Sequence, residues 1–281
     1  MTDYTILIAR SIASLSLLVL CSEAAEAAAI SVPNFSFQEP DAVDGGSVAA
    51  SNGGAQVSGW TYNQGTSIGG GVFNPQDAAY PGTTGSPGTL SSPAEGEQVL
   101  FINFQNSTAN GSTGSFISTL PVATAVPELL YELTVAIGDR GDAAGPGAVD
   151  PNINPDLVII ELLLDGVTRA IASHDGPFGD GTFIDLAASF LAIDDDLGKD
   201  LQIRLTHTLN SAGGADSFTG FVQANFDNVR LTATPATTAV PEPSTALLLG
   251  LGMSMCAFGA YRKHERRRLN SHGATPYGST E

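Results

Sequence analysis

Across residues 30–234, apolar side chains recur either at every second position or in short unbroken runs, and no stretch sustains a helical period. Tyr131, Leu133, Val135 and Ile137 alternate with Glu132, Thr134 and Ala136, the pattern of a strand with one buried face. Leu201, Ile203 and Leu205 repeat it around Gln202 and Arg204. Residues 99–104 and 157–164 are continuous apolar runs suited to central strands, and the second ends at Asp165-Gly166, a two-residue hairpin turn. Loops rich in Gly, Ser, Thr, Pro and Asn separate these runs, chiefly at 44–71, 81–93 and 138–155. Short strands with long glycine-rich connections predict an all-β fold, a β-sandwich or jelly roll. About two hundred residues bury a substantial core as one domain.

Both ends of the chain carry addresses instead of strands. Residues 6–21 form an apolar run with Arg10 near its start, followed by Ala24-Ala25-Glu26-Ala27-Ala28-Ala29. This layout predicts a secretory signal peptide over residues 1–29, cleaved near Ala27 to Ala29. Leu20 is too large to precede a lipidated cysteine, which argues against lipid attachment at Cys21. Cys21 and Cys256 are the only cysteines, so the exported domain must hold together through its core without a disulfide. At the other end Pro241-Glu242-Pro243 closes a linker over 235–245 and precedes an apolar stretch from 246 to 261. Arg262, Lys263, Arg266, Arg267 and Arg268 follow at once and favour a cytoplasmic end. Sixteen helical residues reach roughly 24 Å, short of the ~30 Å hydrocarbon core, so a transmembrane helix here must thin the bilayer or let its basic flank snorkel. Residues 269–281 read as a disordered tail.

The formal net charge of −18 is carried almost wholly by the ectodomain, where Arg140, Arg169, Lys199, Arg204 and Arg230 are the only cations. Such a surface repels phosphate backbones and excludes nucleic acid as a partner. It can attract divalent cations, or keep the domain soluble outside the cell.

The order of Pro-Glu-Pro, short helix and basic cluster resembles the PEP-CTERM sorting signal of bacteria that make exopolysaccharide. Val126-Pro127-Glu128 repeats part of the tripeptide without the helix or cluster behind it. The resemblance implies an exosortase, a membrane protease that recognises Pro241-Glu242-Pro243 and removes everything after it. The product would be transiently membrane-anchored, then at the cell surface or in the extracellular matrix.

The ectodomain carries a second resemblance. Val32-Pro33-Asn34-Phe35-Ser36-Phe37-Gln38-Glu39-Pro40 opens it, Gly59-Trp60 and Glu95-Gly96-Glu97-Gln98-Val99-Leu100-Phe101 follow, and Phe226-Asp227-Asn228-Val229-Arg230-Leu231 closes it. In that order these segments are similar to galactose-binding-like jelly rolls. Ala224 and Phe226 share one phase of the closing strand and Val229 and Leu231 the other, which predicts a bulge near Asp227-Asn228. Related jelly rolls hold a structural Ca²⁺ between first and last strands. The resemblance carries that role to Glu39 and Asp227, with Asn228 as neighbour, although Gln38 stands where the family has Glu. The residue types suit a hard cation; equally, Asp227 can cap the bulge. Asp150, Asn152, Asn154 and Glu161 match oxygen-ligand positions of an EF-hand loop, but Pro155 occupies the place of the turn glycine, which argues against one. Asp194-Asp195-Asp196 reads as a solvated turn.

Sugar recognition would need aromatic faces for stacking. Trp60, Tyr62 and Tyr80 are the candidates, with burial of Trp60 in the core as the competing reading. Catalytic motifs are missing: neither His174 nor His207 stands in a metal-binding spacing, and no Gly-x-Ser-x-Gly elbow occurs. The sequence therefore predicts a non-catalytic surface or matrix protein associated with exopolysaccharide and carbohydrate. A structural or adhesive protein without sugar affinity, or a secreted glycan hydrolase, is the alternative.

Overall fold

The computed structural model describes residues 26–236, apart from 52, 54–56, 68, 76–79, 81–89, 106–110, 139–156, 176–180 and 210–220. The expected apolar segment and basic cluster at 246–268, nearly all of the signal peptide, and the tail lie outside the described residues. Among the described residues no helix is long and apolar enough to cross a membrane.

Thirteen strands run through the described residues. They are β1 (Ala28–Ile30), β2 (Ser47–Ala49), β3 (Trp60–Asn63), β4 (Gly69–Phe73), β5 (Val99–Gln105), β6 (Thr113–Ser118) and β7 (Ala123–Thr124). The second half supplies β8 (Leu129–Gly138), β9 (Leu157–Leu164), β10 (Val167–Asp175), β11 (Phe183–Leu191), β12 (Asp200–Thr208) and β13 (Phe221–Pro235). Two antiparallel sheets result. The first runs β11-β8-β13-β5-β4-β2 with β1 on β13, and the second β10-β9-β12-β6-β3 with β7 on β12. This is the sandwich expected from the period-two runs.

Strands β8 and β12 face the core with the side chains their alternation marks, and β5, a continuous apolar run, does so with every second residue. Leu133, Val135 and Ile137 from β8, Leu100, Ile102 and Phe104 from β5, and Leu201, Ile203 and Leu205 from β12 are fully buried. The apolar run of β9 lies between β10 and β12, and Asp165 and Gly166 take the two left-handed conformations of its hairpin turn. The bulge falls where the phase change placed it. In β13 the partners in β8 step from Asp227↔Ala136 to Arg230↔Thr134, leaving one extra residue, and Asn228 has φ 43°. Phe226 before the bulge and Val229 and Leu231 after it therefore all point inward.

Strand β1 begins two residues before the expected boundary at Ile30. Ala28, Ala29 and Ile30 pair with Ala233, Thr232 and Leu231 of β13. The chain thus enters and leaves the domain side by side.

Candidate functional site

The side chains of the seven-stranded sheet that point away from the core ought to be solvated, by the alternation of β8 and β13. The structure instead buries a group of them. Val99, Ala136, Phe183 and Phe73 form a second apolar cluster with Tyr80, Leu90 and Ala94, which come from the segment joining β4 to β5. Through these three residues the segment covers one part of the outer face, and Tyr80 is 1% exposed.

Against that apolar wall stands a row of neutral amides. Gln223 and Asn225 are alternate residues of β13 on the covered face, and Gln223 pairs across to Asn103 of β5. Gln223 Nε2 donates to Asn225 Oδ1 at 2.8 Å, and Asn225 Nδ2 donates in turn to the Tyr80 hydroxyl. Asn225 is fully buried, and Asn103 Oδ1 is a buried acceptor with no hydrogen-bond partner among the described residues. Tyr80 stacks on Phe183 at 4.7 Å between ring centroids, 21° from parallel. Phe183 can lie flat on the sheet because its cross-strand partner is Gly138, where a Cβ would come within 2.5 Å of the ring. The ends of β5 and β8 and the starts of β11 and β13 meet here under the connection from β4 to β5, so five segments distant in sequence build one surface.

The apolar cluster around Tyr80 and Phe183 keeps water from the face it covers, and an amide oxygen there can satisfy one polar N–H. An amide acceptor buried without a partner carries a desolvation cost of about 1–3 kcal/mol, which a bound donor removes.

The aromatic residues singled out in the sequence lie elsewhere or face inward. Trp60 is fully buried, packs 5.4 Å from Phe37, and donates its indole N–H to the Pro33 carbonyl at 3.1 Å. Tyr62 is 1% exposed and stacks on Phe116, with its hydroxyl against Ser67. Trp60 therefore follows the core alternative, and neither ring offers a face to a sugar. Tyr80 is the one candidate that enters the site, through its hydroxyl and its stack on Phe183.

Asp227 lies on the covered side of β13 at the bulge, walled off by the 93–98 loop. Its Oδ2 accepts the Glu95 N–H at 2.6 Å, while Oδ1 is buried without a hydrogen-bond partner among the described residues. Burial pushes its carboxyl well above the usual range, against the downward pull of the Glu95 and Asn228 N–H groups. The orphaned oxygen suits a cation or a proton, but the described residues around it do not supply the roughly six to eight oxygens of a calcium site. Glu39 is exposed, and its backbone is engaged with Asn34. Among the described residues no three His, Cys, Asp or Glu side chains converge.

Two other acidic expectations change in the structure. Glu161, the last position of the EF-hand-like spacing, sits in β9 and takes a bidentate bond from Arg204 at 2.5 and 2.6 Å; residues 150–156 lie outside the described residues. Asp194–Asp196 forms a turn of 3₁₀ helix, but Asp196 is buried, not solvated, and joins Arg169 at 2.8 Å to Lys199 at 3.2 Å.

The fold and the covered face define a two-sheet antiparallel jelly roll with an amide-and-aromatic site on one outer surface. The chain belongs to the HpiC1-like family, HpiC1 cyclase, whose family model matches residues 28–232. A second family model, the PEP-CTERM protein-sorting motif, matches residues 239–267, and the protein is thus exported to the cell surface or beyond it. No curated protein matches the sequence. Among solved structures, the Stig cyclase Fisc from Fischerella sp. TAU, in complex with (3Z)-3-(1-methyl-2-pyrrolidinylidene)-3H-indole, is 24% identical with a TM-score of 0.58; the match covers 75% of this chain and 100% of that one. A Fischerella sp. TAU cyclase in complex with 4-(1H-indol-3-yl)butan-2-one matches with the same identity, coverage and TM-score. Another structure of a cyclase from Fischerella sp. TAU is 23% identical with a TM-score of 0.55, covering 76% of this chain and 100% of that one.

The family corrects the expectation of a non-catalytic protein, because its members are cyclases and hence enzymes. Motif reasoning missed this for a physical reason. The residues on the covered face are amides and aromatics scattered over β5, β11 and β13, with a single buried acid, Asp227, and no motif spacing to announce them. The one local signal was the polar pair Gln223 and Asn225 inside an apolar strand, which reads equally as an ordinary solvated face.

Proposed function

We propose that the protein is an exported enzyme of the cyclase family that holds a planar aromatic substrate against the covered face of the seven-stranded sheet for ring closure. The observation that carries this reading is Asn103 Oδ1, a buried acceptor with no hydrogen-bond partner among the described residues, on the same sheet face where Asn225 meets the Tyr80–Phe183 stack; it can accept the N–H of a heteroaromatic ring. The indole ligands named for the Fischerella structures supply such a ring and support the choice of substrate class. Asn103 would orient the ring, Phe183 and Tyr80 would wall it, and Asn225 would fix the Tyr80 hydroxyl. Excluding water and fixing one folded conformer lowers the entropic part of a ring-closure barrier.

The sorting motif supports display of this activity at the cell surface. In this reading the 246–261 segment anchors the chain in the membrane until an exosortase acts at Pro241-Glu242-Pro243. Association with exopolysaccharide rests on the sorting motif alone.

Calorimetric titration of the full-length protein in mild detergent with 4-(1H-indol-3-yl)butan-2-one tests the site. The reading predicts saturable binding that weakens roughly ten- to a hundred-fold in Asn103→Leu, the effect of one lost buried hydrogen bond. Absence of binding, or equal binding by Asn103→Leu, would overturn it.

A further inference from the structure

Three segments meet at the edge of the jelly roll beside the bulge: residues 34–42, the loop 93–98, and Asp227 to Val229. The ties between them are specific. Val229 N–H donates to the Phe35 carbonyl at 2.8 Å, Asn228 Nδ2 to the Pro93 carbonyl at 2.8 Å, and Glu95 N–H to Asp227 Oδ2. On the other side of the same loop, Gln98 Oε1 accepts the Ala42 N–H at 2.5 Å.

Gln38 reaches into this junction. Its side-chain Nε2 donates to two backbone carbonyls, Ser36 at 2.5 Å and Gln98 at 3.3 Å, while its Oε1 accepts the Glu97 N–H at 3.1 Å. Gly96 makes room for it: φ is +79°, and a Cβ there would sit 2.6–2.9 Å from the three amide atoms of Gln38. One amide thus draws in two carbonyl oxygens and one N–H. Converging carbonyls are what a hard cation takes as ligands, and here a neutral N–H₂ group occupies them.

We propose that the Gln38 side chain does the work of an ion, cross-linking the first segment to the 93–98 loop so that the jelly roll closes without calcium. The junction around it is consistent with that role. Its one buried carboxylate, Asp227, accepts from the loop backbone through Oδ2, which leaves one oxygen without a partner among the described residues where a calcium ion takes roughly six to eight, and Glu39 is exposed. A carboxylate at position 38 would reverse the polarity. It would face the Ser36 and Gln98 carbonyls with oxygens, leaving three or more oxygens with no donor between them, and a divalent cation would then be needed to hold the segments together.

Thermal unfolding of the full-length protein, followed with excess EDTA and with excess Ca²⁺, tests the proposal in three chains. Wild type should melt at the same temperature in both. Gln38→Glu should melt several degrees lower in EDTA and recover in Ca²⁺. Gln38→Leu, which removes the donor and creates no ligand, should melt lower in both. A wild-type melting point that falls with EDTA would overturn the proposal. So would a Gln38→Leu chain as stable as wild type, or a folded Gln38→Glu chain indifferent to Ca²⁺.

Discussion

Trp60 shows how a single residue divides packing from recognition. It has no exposed surface, its N–H is satisfied by Pro33, and its ring rests on Phe37. Trp60→Ala should therefore cost about 3–5 kcal/mol in denaturant unfolding, as large core truncations do. Glu161 makes a different case. Burial raises its pKa, but hydrogen bonds from Arg204 and Thr168 and the guanidinium charge outweigh that and hold it below the usual carboxylate range. A lowered folded-state pKa means stability that is fully present above the unfolded value near 4.5 and is lost as pH falls through the folded value. Glu161→Gln should flatten that acid limb of the stability profile, and an unchanged limb would contradict the pairing. Gly138 is constrained by its neighbour across the strand. Gly138→Ala would drive a methyl group into the Phe183 ring, so it should weaken ligand binding at the covered face while leaving the inner core intact.

At the scale of elements, the strands were legible where alternation is local. Leu133, Val135 and Ile137 fall on the core side by their spacing alone, and the phase slip between Phe226 and Val229 marks the bulge. The site was not legible in the same way. Asn225 and Gln223 look solvated in β13, yet both are buried, and Asn225 meets Tyr80 from a segment far away in sequence. Gln38 was visible as a departure from the family pattern, but its hydrogen bonds to Ser36, Glu97 and Gln98 require the loop to be folded against it. Strand β1 adds a constraint on processing. Ala28 and Ala29 are two of its three residues, so a signal peptidase cut after Ala29 would strip the pairing with Ala233 and Thr232. The mature protein should begin at Ala28 or upstream of it, as read by N-terminal sequencing of the secreted form.

On the scale of the whole molecule, an acidic jelly roll with a desolvated neutral site is joined to a sorting motif. The formal charge of −18 repels anionic ligands, whereas on the covered face Asn103, Asn225, Tyr80 and Phe183 are uncharged and burial holds Asp227 towards its neutral form. Together they favour a neutral, flat, apolar substrate reached from outside the cell. The most direct test is a crystal structure of the protein with 4-(1H-indol-3-yl)butan-2-one. The indole should lie on the outer face of the seven-stranded sheet beside the Tyr80–Phe183 cluster, its N–H within hydrogen-bond distance of Asn103 Oδ1. A ligand seated elsewhere on the sandwich, with Asn103 untouched, would contradict it.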